Sequence, residues 1–461
     1  MVVHSLHDEL TLYETPTEYR LEPIVRTSET RALSLDRGTG DIVLLAPNTT
    51  PLQTRSPRTI YGVLGILSLS ACDYLILITG RERRGLIFGH IVYRATDFAV
   101  LPIAPPPVPD HPAERHLLAL VKTHLKTGAF WFKSASGRYE AAPHPPDVFS
   151  YIQLRGSVPL FWAEINTLRY RPDLQIMDVG ATQHALRAHL TDLTSNYGDV
   201  VLVNLVNQVG YEMPVKDALE RAIEEVMDTS TGLTVGGRGR VEGIGYEYFD
   251  FHKECKGMRW DRINLLLDRL QDRLDAHGWF HVSASSTTPV QTQRGAVRTN
   301  CMDCLDRTNV VQSTIAKGVL EKQLRAVGIL ESGEGIESTE FLPIFRNVWA
   351  DHADYVSNGY AGSGALKADF TRTGVRTKGG AARDGINAVM RYLKNNYFDG
   401  PRQDAFDLMT GSWVARRTPS LSAMLLVDKR PLLIRSMPHV AGFSIFMILA
   451  GLTLPRADGG G

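Results

Sequence analysis

From Asp41 to Thr96, short apolar runs rich in β-branched residues alternate with glycine and arginine breaks, as in IYGVLGILSLSACDYLILITG followed by RERRGLIFGHIVYRATDF. Runs of this length bounded by turn residues predict antiparallel sheet. The stretch LPIAPPPVPDHP ends it, because proline neither donates to a ladder nor continues a helix. In ERHLLALVKTHL, Leu117, Leu118, Val121 and Leu125 return at helical spacing, so an amphipathic helix packed on the sheet is expected.

A second proline-rich break, AAPHPPDVF, shifts the composition and places a domain boundary near residue 150. Beyond it DVVLVNLVN is apolar almost throughout, the pattern of a strand covered on both faces. VKDALERAIEEVMD follows with Ala218, Ala222, Ile223 and Val226 in helical register, and strand plus helix predicts an α/β half. YEYFDFHKEC reads as another strand and DRINLLLDRLQDRL as another amphipathic helix. Near the end, MPHVAGFSIFMILAGLTLP lies between Arg435 and Arg456 with no charge beyond that of His439. It predicts a membrane span, for which roughly 20 predominantly apolar residues are needed, with a buried core helix as the alternative for a run of marginal length. Lys429, Arg430 and Arg435 precede it, which puts the preceding domain in the cytosol. The expected divisions are an N-terminal subdomain over residues 1–150, a catalytic domain over 151–430, a transmembrane segment over 437–455 and a short tail over 456–461.

Fifty basic and fifty acidic side chains cancel, which excludes a generally nucleic-acid-coating protein and leaves anion binding to local clusters. The four cysteines, Cys72, Cys255, Cys301 and Cys304, are too few and too scattered for a disulfide framework and suit a reducing compartment. Asp8 and Glu9 stand where a secretory signal needs an apolar run.

The chemistry concentrates in RTNCMDCLDRTN, Arg298 to Asn309, followed by VVQSTIAKGVLEKQL with a helical stripe of Val311, Ile315 and Val319. A cysteine six residues before an arginine, at the entrance to a helix, allows a short loop to curl until its backbone N–H groups converge on one anion. Arg307 adds a bidentate fork for phosphate oxygens. The same field is expected to depress the pKa of Cys301 and populate its thiolate. In-line attack on phosphorus would give a phosphocysteine, with the loop donors and Arg307 stabilising the equatorial oxygens. The loop residues Asn300, Met302, Cys304 and Leu305 are assigned to phosphate binding, and Thr308 to a hydroxyl donated to the sulfur, while Cys304 also reads as a packed thiol able to form a protective disulfide with Cys301 under oxidation. Asp303 and Asp306 are both candidates for the acid that protonates the leaving group, and each also reads as a loop cap. A rival reading takes Cys301 to Cys304 as a CxxC metal motif. Zinc would need two further ligands, and Cys72 and Cys255 are isolated, so no metal and no cofactor are expected.

These residues resemble the Sac-domain phosphoinositide phosphatases, whose signature is RTNCMDCLDRTN. YGVLGILSL, ATDF, RGSVPLFW, VNLVNQ, FDFHKECKGMRW, WADHADYVSNGYAGSGALKADFTRTG and RYLKNNYFDGPRQDAFDL are similar to the same family, so the likeness covers most of the chain. The resemblance implies an α+β/α/β fold: a β-rich N-terminal Sac subdomain packed on an α/β cysteine-phosphatase-like catalytic domain, with no metal requirement. It also implies a membrane phosphoinositide as partner, phosphatidylinositol 4-phosphate and other monophosphates as substrates, and an endoplasmic reticulum or Golgi location. Basic residues in two of these blocks, His252, Lys253, Lys256, Lys367, Arg372, Arg376 and Lys378, are candidates for holding the inositol phosphate and the anionic surface. Two departures stand out. Only one of the family type's two membrane spans is legible, and between GAFWFKSASGRYE and YIQLRGSVPLFW a long stretch of N-terminal strands is replaced by AAPHPPDVFS. The second departure keeps open a catalytically impaired membrane tether or regulator. A protein phosphatase is disfavoured by Asn300, which stands where protein tyrosine phosphatases carry histidine.

Overall fold

The computed structural model describes residues 7–25, 30–47, 49, 57–87, 90–105, 112–128, 130–133, 147–165, 168, 172–177, 180–227, 243–284, 286, 288–414 and 432–453. The proline-rich stretches at 106–111 and 141–146, Lys429, Arg430 and the tail from residue 454 lie outside them. The chain divides into two compact units, residues 1–141 with 397–461, and residues 142–396.

In the first unit β1 (Leu10–Glu14), β2 (Glu18–Pro23), β3 (Leu33–Asp36), β4 (Ile42–Leu44) and β5 (Arg58–Ile60) form an antiparallel sheet in the order β4-β3-β2-β1-β5. A second antiparallel sheet runs β6-β7-β8-β9 from β6 (Gly62–Ser68), β7 (Asp73–Ile87), β8 (His90–Pro102) and, after helix α1 (Pro112–Thr127), β9 (Trp131–Lys133). Side-chain alternation along β7 serves both sheets. Tyr74 and Ile76 pack with Leu117, Val121 and Leu125 of α1 and with Leu408 of the helix Asp399–Thr410. Leu75 and Leu77 pack with Leu12, Tyr19, Leu21 and Ile60. The expected sheet and helix therefore form, and the strands before Asp41 extend that β-rich region.

In the second unit, β10 (Val148–Ser150) precedes β11 (Gln153–Arg155), and the hairpin of β12 (Trp162–Ile165) and β13 (Asp173–Ile176) leads into α2 (Gly180–Tyr197). Then come β14 (Asp199–Asn204), α3 (Met213–Met227), β15 (Ile244–Tyr248), α4 (Phe251–Glu254), α5 (Asn264–His277), β16 (Phe280–Val282) and β17 (Gly295–Asn300). Helices α6 (Asp306–Ala326), α7 (Phe341–Ala361), α8 (Ala368–Thr373) and α9 (Lys378–Leu393) complete the unit. The central sheet is parallel throughout, in the order β11-β17-β14-β15. One face, including Val200 and Leu202, meets Leu186 and Leu190 of α2 and Leu219 and Ile223 of α3. The other, including Val201, Val203 and Val297, meets Leu266 and Leu270 of α5 and Val311 and Ile315 of α6. The apolar run through β14 is thus covered on both sides, as its lack of alternation predicts.

Two expectations are corrected. The segment YEYFDFHKEC is strand only to Tyr248. Asp250 then accepts the Lys253 N–H at 3.0 Å and caps α4, a local bond that competes with the ladder. The span expected over residues 437–455 falls in a helix, Leu432–Thr453, yet among the described residues no helix is long and apolar enough to cross a membrane. The helix takes in Arg435, Ser436, Pro438 and His439 at its start and Gly442 and Ser444 further on, and these dilute its apolar character.

Because Leu202 is buried to 1% exposure between α2, α3 and the sheet, Leu202→Ala is expected to lower the unfolding free energy by about 3 kcal/mol. Val209→Ala, at 72% exposure, is expected to change it by less than about 0.5 kcal/mol. Urea titrations of the two variants beside the parent chain check this.

Candidate functional site

β17 and β14 run parallel with Asn300 opposite Asn204, so both chains leave the sheet at the same level. The C-terminal edge of such a sheet is where α/β proteins open a crevice for ligands. There the Asn300 amide donates to Asn204 Oδ1 at 2.8 Å, and Asn204 Nδ2 donates to the Tyr246 hydroxyl at 3.0 Å. Both asparagines are buried, so this bond pins the strand end from which the Cys301 loop departs.

The loop turns on Cys304, which adopts φ +51°. A left-handed conformation is uncommon outside glycine, and here it brings the Cys304 N–H to 3.0 Å from Cys301 Sγ. The carbonyls of the loop are held outward. Arg155 Nη2 donates to Cys304 O and, at 3.1 Å, to Leu305 O, while Ser157 Oγ donates to Met302 O at 2.7 Å. Cys304 Sγ donates to Gly156 O at 2.7 Å. With carbonyls occupied from outside and α6 beginning at Asp306, the amide side of the loop and the positive end of the helix face inward.

Cys301 is fully buried, with Thr308 Oγ1 3.3 Å from its sulfur and its thiol donating to Asp303 Oδ1 at 3.3 Å. Arg307 makes a two-pronged ion pair with Glu212, Nη1 to Oε2 at 2.8 Å and Nη2 to Oε1 at 2.9 Å, and Glu212 Oε2 also accepts the Asn207 N–H at 2.8 Å. Burial pushes the Cys301 thiol well above its usual range; Cys304 and Asp303 beside it act in the same sense, and Arg307 opposes them. The depressed pKa expected from the sequence is therefore not the character of this arrangement. The helix dipole and guanidinium are present, but the sulfur is out of water, a carboxylate adjoins it, and Glu212 neutralises the arginine.

The structure separates the two aspartates. Asp306 accepts the Leu366 N–H at 2.9 Å and pairs with Arg391 at 3.1 Å, so it ties the start of α6 to the segment before α8 and to α9. Burial pushes its carboxyl up, against the pull of Arg391. Asp303 is exposed and adjoins the sulfur. Of the remaining loop residues, Met302 packs in the core between the sheet, α2 and α3, Leu305 is buried, and the Asn300 side chain is committed to Asn204. What these three present to a phosphate is backbone.

His252, Lys253 and Lys256 are exposed on α4 and the turn after it, beyond the C-terminal end of β15, at the same edge of the sheet as the loop. Lys367 stands before α8 with φ +60°, its N–H held by Asp384 at 3.0 Å. Arg372 is paired with Asp351 at 2.6 Å and Asp354 at 3.4 Å, and Arg376 with Asp369 at 2.7 Å and Asp384 at 2.6 Å. Lys378 is exposed at the start of α9. Sequence reasoning did not single out Glu212, Arg155 or Ser157. The last two lie in the RGSVPLFW block already noted, whereas nothing in the sequence around Glu212 marks it as the partner of an arginine 95 positions away. Among the described residues no group of three His, Cys, Asp or Glu side chains is placed to hold a metal ion.

A profile of the SacI homology domain matches residues 61–141 and 137–256, in two stretches that meet at 137–141. Phosphatidylinositol-3-phosphatase SAC1 of Saccharomyces cerevisiae is 42% identical over 315 residues, 67% of this chain and 48% of that protein. Phosphatidylinositol-3-phosphatase SAC1-A of Danio rerio is 40% identical over 308 residues, 66% of this chain and 50% of that protein. The chain thus spans about half the length of these curated relatives. Phosphatidylinositol-3-phosphatase SAC1 of Drosophila melanogaster is 31% identical over 520 aligned positions, 89% of this chain and 84% of that protein. That alignment is longer than the 461-residue chain, so the relative carries stretches that this chain lacks. With 31% identity running through 84% of a relative and 89% of this chain, this chain belongs to the SacI homology domain family.

Proposed function

We propose that this chain hydrolyses the phosphomonoester of a phosphoinositide headgroup, phosphatidylinositol 4-phosphate and other monophosphates first, through a phosphocysteine on Cys301. The observation that carries the reading is the joint placement of Cys301, Asp303, Thr308 and Arg307 around one loop at a helix start. The names of the relatives support the substrate class. The substrate brings the enzyme to a membrane surface, where the exposed His252, Lys253 and Lys256 meet anionic lipid. Location at the endoplasmic reticulum and Golgi, with the catalytic half on the cytosolic side, belongs to the same proposal.

In the first step Cys301 gives its proton to Asp303, the sulfur attacks phosphorus, and the inositol oxygen leaves with the proton that Asp303 carries. One proton thus passes from thiol to leaving group as the S–P bond forms and the P–O bond breaks. The buried thiol is a consequence of this order, since its proton has an acceptor at hand. Arg307, oriented by Glu212, meets the equatorial oxygens with the N–H groups that the carboxylate leaves unused. In the second step water attacks the phosphocysteine, Asp303 takes its proton, and Thr308 donates to the departing sulfur. Inorganic phosphate leaves and the thiol is restored.

Purified protein is expected to release phosphate from phosphatidylinositol 4-phosphate vesicles in EDTA, and Cys301→Ser to abolish it; full activity in that variant would exclude the mechanism. Asp303→Asn is expected to lower turnover by about 10²-fold or more. Asp306→Asn should instead act first on the urea midpoint, and a purely kinetic loss there would move the acid role to Asp306. Arg307→Lys is expected to cut turnover by about 10²-fold with the fold intact, because an ammonium cannot reproduce the fork. Near-normal initial rates in folded Arg307→Lys protein would remove Arg307 as the clamp.

A further inference from the structure

Helix α9 is amphipathic, yet none of its residues is buried. At about 3.6 residues per turn, Asp384, Asn387 and Arg391 fall on one face and Ala382, Ile386, Val389 and Met390 on the opposite one. The polar face is the one turned to the protein. Asp384 accepts the Lys367 N–H at 3.0 Å and pairs with Arg376 at 2.6 Å. Arg391 Nη1 and Nη2 donate to Asp306 Oδ2 at 3.1 Å and to the Ser357 hydroxyl at 3.0 Å. The apolar face is left to solvent, with Ile386 64%, Val389 59% and Met390 40% exposed. A surface helix ordinarily presents these faces the other way round, because its apolar stripe is what gains from burial.

The charges beside the stripe are both basic. Lys378 and Arg383 are exposed and flank it on either side of the helix, while the one carboxylate of α9, Asp384, is engaged on the inner face. Aliphatic side chains set between cations fit an anionic bilayer: the stripe enters the headgroup boundary, and the two long basic side chains reach lipid phosphates alongside it. A protein partner fits less well. Three aliphatic side chains, each partly covered, offer less than the about 800 Å² per partner of a stable interface. The choice of a bilayer also rests on the proposed reaction, whose substrate is a lipid.

We propose that α9 is an interfacial docking helix, which places Ile386, Val389 and Met390 in the surface of an anionic membrane. The inner face is its anchor. Arg391 holds Asp306, the first residue of α6, so the docked helix is tied to the one that begins at the nucleophile loop. This contact is separate from that of His252, Lys253 and Lys256, which lie beyond β15.

The test uses the full chain carrying Cys301→Ser and phosphatidylcholine vesicles with about one third phosphatidylserine and no phosphoinositide, so that neither turnover nor substrate recognition contributes. Cys72, Cys255 and Cys304 are buried, so an environment-sensitive nitrobenzoxadiazole label goes to Val389→Cys or, in a control protein, to Asp272→Cys at an exposed position of α5. On adding vesicles, the label on Val389→Cys is expected to brighten several-fold, shift to the blue and be quenched by doxyl-labelled lipid. The label on Asp272→Cys should stay as in water. Without labels, Ile386→Glu is expected to weaken vesicle cosedimentation about tenfold and Arg383→Gln about fivefold. Both positions are exposed, so the urea midpoints should hold. A label on Val389→Cys that stays in water on vesicle-bound protein, equal brightening of the control, or an affinity indifferent to Ile386→Glu would each overturn the assignment. Brightening that follows protein concentration without vesicles would also overturn it, in favour of a second copy of the chain. No readout involves phosphate release, so failure here and failure of the proposed reaction are told apart.

Discussion

The amides of Asn300 and Asn204 meet at 2.8 Å across the C-terminal ends of two parallel strands, and the site hangs from that register. Alternate residues of a strand point to opposite faces, so a slip of one position would send Cys301 to the wrong side of the sheet. With the register fixed, Leu205 N donates to Asn300 O at 2.8 Å and continues the pairing one step past the strands. The chain after β14 then passes beside the loop, which is how Asn207 and Glu212 come within reach of Arg307. A buried amide pair is well suited to this task, because breaking it would strand Asn204 Oδ1 and Asn300 Nδ2 in the protein interior.

Around this frame the loop is shaped mostly from outside. Arg155 and Ser157 take its carbonyls, Cys304 bonds to Gly156 O, and Asp306 joins the first turn of α6 to Arg391. Each of these contacts orients a peptide without approaching the sulfur. The arrangement keeps donors facing the space that an anion would fill, with no reorganisation required as charge develops there. It also explains why Cys301 rests as a thiol. The same burial that strengthens every later electrostatic contact disfavours a bare sulfur anion, and the thiol instead donates a hydrogen bond to the neighbouring Asp303.

The legible parts of this protein were those carried by local pattern. The doubly covered strand β14, the amphipathic helices α1, α3 and α6 and the cysteine-to-arginine loop all follow from residues close together in the chain, where side-chain period and helix entry are decided. The basic residues show the limit. Arg372 and Arg376 look identical in sequence to a headgroup cradle, but α7 sets Asp351 and Asp354 against the first, and Asp369 and Asp384 close on the second. These partners lie 7 to 21 positions away in the chain, at separations that no helical or strand period brings together. The C-terminal helix marks another limit, since an uncharged run predicts burial in something apolar without saying whether that is lipid or protein.

By itself the sequence determined where the candidate site lies, because a thiol, a guanidinium and two carboxyls fall within seven positions at a helix entrance. Tertiary structure alone decided their states. It assigned one aspartate to the sulfur and the other to Arg391, gave Arg307 a carboxylate partner from the far side of β14, and took Cys301 out of water. Protonation and orientation depend on what packs within a few ångströms, and in a parallel α/β sheet those neighbours come from strands and helices far apart in the chain.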